Sequence, residues 1–206
     1  SQVGASKVAM MLGYKNLKQT YLDFGFSRPI SVNFPSSAFG FLKIQENISE
    51  IEIASMGYGY GFEVSPFQIT SAYSVFANKG IFKDFKLILS DEVPEKRLIS
   101  EESARHTLEA LQKVVKIGTG KAAKVKGFNI GGKTGTVHKS IGGGYQEDKY
   151  RATFVGIVPI ENNSLTIFVS INEPSLNKYS GGAVAAPLFS LIAESSINHL
   201  GYFENE

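Results

Sequence analysis

Gly131-Gly132-Lys133-Thr134-Gly135-Thr136 is the stretch on which the reading of this chain turns. It falls in the first of three strand signals, roughly Asn129 to Val137, Arg151 to Val158 and Leu165 to Ile171, separated by Gly142-Gly143-Gly144 and Glu161-Asn162-Asn163-Ser164. Small residues weaken a strand interior, and a common reason to tolerate them is that a ligand backbone comes close. Lysine supplies a compact cation for a carboxylate, Thr134 and Thr136 supply hydroxyls, and an edge strand supplies free N–H groups for strand addition. Two readings follow from these six residues: a site for an extended peptide ending in a carboxylate, or an ordinary edge strand with a solvated lysine.

Two other motifs compete and fail on context. Gly127 to Thr134 matches the phosphate-loop pattern G-x-x-x-x-G-K-[ST] in full. A phosphate loop needs a helix N-terminus immediately after it, and Gly135-Thr136-Val137 followed by the glycine run has no helical period. Ser175-Leu176-Asn177-Lys178 has the Ser-x-x-Lys spacing of a nucleophile and its lysine. It follows the Lys133 strand, lies between Pro174 and Ser180-Gly181-Gly182, and has no apolar face, so it reads as a solvated connection.

Outward from the strands, Gly182 to about Leu200 is apolar at Val184, Leu188, Leu191, Ile192 and Ile197, which predicts a helix packed on the sheet. Upstream, Ser100-Glu101-Glu102 opens a helix with an apolar stripe at Leu108, Leu111, Val114 and Val115. Ser65-Pro66 starts another, with Ser65 as N-cap, and Asn78-Lys79-Gly80 stops it. Two shorter helices are expected at Val3 to Leu12, closed by Gly13, and at Leu17 to Phe24, closed by Gly25. Phe26 to Asn47, with Pro29, Pro35 and scattered aromatics, predicts a long connection that is poorly ordered or held mainly by aromatic contacts. The fold class is α+β: an antiparallel sheet with flanking helices, in one domain over 1–206.

Bulk properties exclude several functions. At 206 residues, with 43% hydrophobic content, the chain is globular and buries roughly two-thirds of its unfolded surface. A net charge of +2 gives no footprint for nucleic acid. Zero cysteines remove disulfide, thiol and cysteine–zinc chemistry, and three scattered histidines make no metal set, so neither metal nor cofactor is expected. His138 reads as a surface strand histidine, and Met56-Gly57-Tyr58-Gly59-Tyr60-Gly61 as a tight turn before the Ser65 helix. No run of about 18 apolar residues occurs. The opening lacks an initiator Met and a signal-peptide layout, which predicts that the chain starts inside a longer protein.

Several segments together resemble the class B penicillin-binding proteins, most closely the division-specific peptidoglycan D,D-transpeptidases. They are Ser1-Gln2-Val3-Gly4, Ala54-Ser55-Met56-Gly57-Tyr58-Gly59, Val64-Ser65-Pro66-Phe67-Gln68, Ala77-Asn78-Lys79-Gly80, Gly132-Lys133-Thr134-Gly135-Thr136, Phe154-Val155-Gly156, Ile171-Asn172-Glu173-Pro174 and Gly181 to Pro187. The resemblance implies a transpeptidase fold akin to the serine β-lactamases, and a cleft lined by Ser-x-x-Lys, Ser-x-Asn and Lys-Thr-Gly motifs. By it, the acylated serine lies upstream of residue 1. Ser1 and Gln2 are what remains of the second motif, with Gln2 standing where the family has Asn.

Roles implied by the resemblance are a substrate-binding and proton-network cation for Lys133, and carboxylate binding for Thr134 and Thr136. The Thr136 N–H becomes an oxyanion donor and Gly135 the space beside the acyl group. One such donor is worth roughly 3 kcal/mol in a comparable hydrolase. The implied partners are peptidoglycan stem peptides, β-lactams and divisome proteins. The implied place is the periplasmic face of the inner membrane, through an anchor not in this chain. A noncatalytic peptidoglycan-binding or divisome-interaction domain that keeps the fold is the alternative.

Overall fold

Polar caps and glycine stops set the helices close to where the sequence places them. The computed structural model describes residues 2–29, 38, 40–42, 48–88, 92, 94–141, 144–161, 163–175 and 177–202. Within these, the chain gathers into two compact units, Ser1–Ala72 with Phe82–Leu98, and Tyr73–Ile81 with Ile99–Glu206.

In the first unit, α1 (Gln2–Asp23) holds both expected N-terminal helices, run together across a break at Gly13, where φ 70° and ψ 161° are not helical. A second helix, α2 (Glu50–Met56), was not expected. Its signal was present: Ser49 accepts from the Glu52 N–H at 3.3 Å while Glu52 Oε2 accepts from the Ser49 N–H at 3.0 Å, a capping box. The helices α1 and α2 pack closely because Gly57 has no side chain. A Cβ there would lie 2.7 Å from both the Ala5 carbonyl oxygen and the Ala9 Cβ. Tyr21 donates to the Met56 carbonyl at 2.7 Å, and Ala9, Leu17, Leu42 and Met56 are buried together. Gly59 and Gly61 have φ of 99° and 80°, so this glycine–tyrosine run is the expected turn, with positive φ at two glycines. Strands β1 (Phe41–Leu42) and β2 (Phe62–Glu63) pair antiparallel beyond it.

The chain next enters α3 (Pro66–Ala77) through a second reciprocal cap. The Ser65 N–H donates to Gln68 Oε1 at 2.9 Å, and the Gln68 N–H donates to Ser65 Oγ at 3.2 Å. Gln68 Nε2 also donates to the carbonyls of Gly25 and Arg28, at 3.2 and 3.0 Å. The side chain is buried, so each of these bonds replaces one that water cannot supply. Gln68→Leu is expected to cost about 3 kcal/mol by orphaning the two carbonyls and the Ser65 N–H. A urea titration of the full-length protein checks this, against Gln68→Glu, which keeps the Ser65 bond and loses both donors. The Phe26 to Asn47 connection lies mostly outside the described residues; of its described part, Phe26 is buried and its ring stacks 5.9 Å from Phe62.

Strand β3 (Ile81–Lys83) pairs with β4 (Glu95–Arg97). In the second unit, α4 (Glu101–Lys116) starts at the Ser100 cap, with acids in the first turn and Lys113 and Lys116 in the last, which suits the helix dipole at both ends. A short 3-10 turn at Lys121–Ala123 leads into the expected meander: β5 (Gly131–Ile141), β6 (Gly144–Val158) and β7 (Leu165–Asn172), all antiparallel. Lys133 lies opposite Val155 and Gly135 opposite Thr153. The chain then makes a π-helical turn at Gly181–Ala185 and continues as α5 (Ala186–Leu200), whose Phe189, Ala193 and Ile197 bury against Phe154, Val158 and Val169 of the sheet. Two strand glycines are required by this packing. A Cβ on Gly132 would sit 2.4 Å from the Phe154 ring, and one on Gly156 2.6 Å from the Phe189 ring.

Candidate active site

Strand β5 ends the described sheet on one side, with β6 as its single strand neighbour. An antiparallel strand paired on one side leaves alternate N–H and C=O groups facing away from the sheet, and Lys133 to Thr136 lie along that edge. The chain stays extended from Gly131 to Ile141, so Lys133 does not head a phosphate loop.

The first half of this strand is held by two glycine-bearing turns. The Gly181 N–H donates to Thr136 Oγ1 at 3.0 Å. A Cβ built on Gly181 would fall 2.3 Å from the Thr153 carbonyl oxygen and 2.4 Å from that of Gly135, so the loop presses backbone against backbone. Gly182 meets the Thr119 carbonyl oxygen in the same way, at 2.4 Å. Thr119 Oγ1 and Thr134 Oγ1 lie 2.8 Å apart, within hydrogen-bond distance. Gly135 is itself enclosed, since a Cβ there would reach 2.3 Å from Thr153 Oγ1.

This arrangement restricts the direction of the Thr136 hydroxyl. Its oxygen accepts the Gly181 N–H, so its own hydrogen points elsewhere and is free to donate to an anion. Lys133 Nζ donates to the Thr134 carbonyl at 2.6 Å. Lys133 as a whole is exposed, yet its ammonium lies against the strand, and the loss of water there lowers its pKa below the ordinary lysine value.

Of the residues singled out in the sequence, Lys133, Thr134, Gly135 and Thr136 share one strand edge. Gln2 belongs to the first unit, where it begins α1 and borders an open cavity of about 620 Å3 with Met10, Met11 and Tyr58; Ser1 lies outside the described residues. Ser175 and Lys178 sit in a turn closed by a 3.0 Å bond from the Lys178 N–H to the Ser175 carbonyl, between β7 and the π-helical turn, and not on a helix. His138 is exposed on the strand, its ring tilted against Tyr150 at 4.5 Å, and Tyr150 stacks on Tyr179 at 4.2 Å. Beside them Glu173 binds Lys139 at 2.5 Å and Lys149 at 3.7 Å, and the Lys139 bond chiefly lowers its pKa.

Thr119, Gly181 and Gly182 were given no role from the sequence. Each sits in a glycine-bearing loop, Ile117-Gly118-Thr119-Gly120 or Ser180-Gly181-Gly182, and that composition was the available signal.

An α+β unit whose edge strand carries Lys-Thr-Gly-Thr, clamped by a Gly-Gly turn, is the arrangement that the resemblance in the sequence implied. The chain belongs to the penicillin binding protein transpeptidase domain family, whose model matches residues 1–194. It is 35% identical over 203 residues to the probable peptidoglycan D,D-transpeptidase PenA of Neisseria flavescens, covering 98% of this chain and 51% of that protein. It is 32% identical over 194 residues to the peptidoglycan D,D-transpeptidase FtsI of Escherichia coli (strain K12), covering 93% and 33%. Among solved structures, the apo TP domain of Burkholderia pseudomallei penicillin-binding protein 3 superposes with a TM-score of 0.92 at 35% identity, covering 100% of this chain and 63% of that one. Penicillin-binding protein 3 of Mycobacterium tuberculosis, complexed with aztreonam, gives 0.90 at 25% identity, covering 100% and 51%. The chain thus spans about half or less of the curated relatives it matches.

Proposed function

We propose that both units belong to one transpeptidase domain, that of a peptidoglycan D,D-transpeptidase, and that β5 is its substrate-binding strand. The carrying observation is the Lys133-Thr134-Gly135-Thr136 edge with its Thr136 hydroxyl oriented by the Gly181 N–H. A stem peptide adds to the sheet along this edge, its backbone pairing with the outward groups of β5. Lys133 and the hydroxyls of Thr134 and Thr136 receive the terminal carboxylate. The Thr136 N–H supports the oxyanion of the tetrahedral intermediate, where a fixed donor acts without reorganising. Gly135 does not supply the room beside the acyl group that the resemblance implied, because Thr153 Oγ1 fills the place of its missing side chain.

The nucleophilic serine comes from outside residues 1–206. It attacks the carbonyl of the D-Ala-D-Ala bond, D-alanine leaves, and a neighbouring stem peptide's amine takes the acyl group from the serine. β-Lactams acylate the same serine, a reading supported by the aztreonam complex of the Mycobacterium tuberculosis relative. An enzyme that acts on peptidoglycan would stand on the periplasmic face of the inner membrane with divisome proteins as partners, a reading supported by the resemblance to FtsI.

Full-length protein mixed with a D-Ala-D-Ala pentapeptide and an acceptor amine tests the proposal. The expected result is stoichiometric D-alanine release with formation of the cross-linked product. Saturable peptide binding with no D-alanine release supports instead a noncatalytic binding domain.

A further inference from the structure

Charge is unevenly distributed in the second unit. From Ala110 to Gln146 there are seven lysines and no aspartate or glutamate, although the whole chain is nearly balanced at 21 basic and 19 acidic residues. Lys133 belongs to the strand edge described above and Lys139 pairs with Glu173. The other five, Lys113, Lys116, Lys121, Lys124 and Lys126, are all exposed, and among the described residues none of them makes an ion pair. Lys113 and Lys116 have a local reason in the dipole of α4. Lys121, Lys124 and Lys126 follow that helix and have none.

Three of these lysines, Lys116, Lys124 and Lys126, border a groove of about 430 Å3 between the end of α4 and the start of β5. Its floor is apolar, made by half-buried Phe128 with the edges of Val115, Val125 and Ile130. Two acidic side chains near this stretch are engaged elsewhere: Glu109 pairs with Arg105, and Glu161 accepts from Asn129 at 2.6 Å. Glu194 is exposed on α5, which packs against the 3-10 turn, and forms no ion pair with these lysines. Uncompensated cations around a concave apolar floor attract an anionic partner and give it something to bury. A flat anionic bilayer would satisfy the cations and leave the floor empty, whereas a polypeptide can fill both.

We propose that this groove docks an acidic segment of another protein, with carboxylates on Lys116, Lys124 and Lys126 and one apolar side chain on the Phe128 floor. The inference rests on the second unit alone and does not depend on the transpeptidase reading.

The test uses full-length protein and two fluorescein-labelled peptides of glutamate and aspartate, one with a central leucine and one with serine in its place. By anisotropy, the leucine peptide is expected to bind about tenfold more tightly, the free energy of burying a few methylene groups. The triple variant Lys116→Glu, Lys124→Glu, Lys126→Glu is expected to weaken it by about 100-fold, as like charges replace opposite ones. Wild-type binding should fall steeply between low and physiological salt. Equal affinity for the two peptides, no effect of the variant, or binding only to phosphatidylglycerol vesicles would overturn the proposal. Labelling by fluorescent penicillin should be unchanged in the variant, because these lysines lie outside the Lys133 edge; its loss would show the groove to be part of that site and would overturn the proposal too.

Discussion

Gly181→Ala is expected to reduce penicillin acylation of the full-length protein by at least about 100-fold while leaving it folded. The added Cβ would stand 2.3 Å from the Thr153 carbonyl oxygen and 2.4 Å from that of Gly135. Both obstacles are backbone atoms of paired strands, so neither can swing aside as a side-chain tip can. The turn must therefore move off β5. That movement breaks the Gly181 N–H bond to Thr136 Oγ1 and frees the hydroxyl to rotate away from its donor orientation. Overpacking of this kind costs about 2 kcal/mol in stability, while loss of an oriented donor costs about 3 kcal/mol in the transition state. Gly201→Ala is the control, since a Cβ there meets nothing within 4 Å although its φ is 69°. Acylation rates from stopped-flow quenching, with thermal midpoints beside them, separate the two effects. Equal loss of activity in both variants would show that general destabilisation is responsible.

Lys133→Ala is expected to lower acylation by about 1,000-fold, roughly 4 kcal/mol of transition-state stabilisation, and Lys133→Arg to recover only part of it. Arginine keeps the charge, but its planar fork does not fit where a compact ammonium bonds the Thr134 carbonyl at 2.6 Å. The pH dependence follows from the direction of the Lys133 shift. Desolvation holds its pKa below 10.5, so the ammonium is lost sooner on the alkaline side than an ordinary lysine's. Attraction for a ligand carboxylate then fades as pH rises through that lowered pKa. The alkaline limb of kcat/KM should fall below the ordinary lysine range in the wild type and vanish from the residual activity of Lys133→Arg. Stability runs the opposite way: over the interval between the folded and unfolded pKa values the unfolded chain binds more protons, so folding is favoured as pH rises there. An alkaline limb unchanged by Lys133→Arg would assign it to another group.

Much of this fold was legible because its signals are local. Ser65-Pro66 and Ser100-Glu101-Glu102 carry their caps within one helical turn, and the meander announces itself by alternating apolar runs between glycine and asparagine turns. The helix α2 was missed although Ser49 and Glu52 have capping-box spacing, because its seven residues are too few to show a period. At the site, Lys133 to Thr136 were legible as one contiguous motif. Thr119, Gly181 and Gly182 were not, since their roles arise from contacts between residues far apart along the chain. A glycine needed for left-handed backbone and one needed because a Cβ would fall 2.4 Å from another strand or loop's carbonyl oxygen look alike in a sequence. The lowered Lys133 pKa was hidden for the same reason, being a property of what surrounds the ammonium.

The central claim is that this chain supplies the binding strand while the acylated serine comes from elsewhere in the protein. Its most direct test is to acylate full-length protein with penicillin, digest it, and locate the penicilloyl group by mass spectrometry. Residues 1–206 alone should be treated in parallel. The account predicts one modified serine, in a peptide outside residues 1–206, and no covalent label on the isolated chain. A penicilloyl group on Ser175, or on any serine within 1–206, would contradict it.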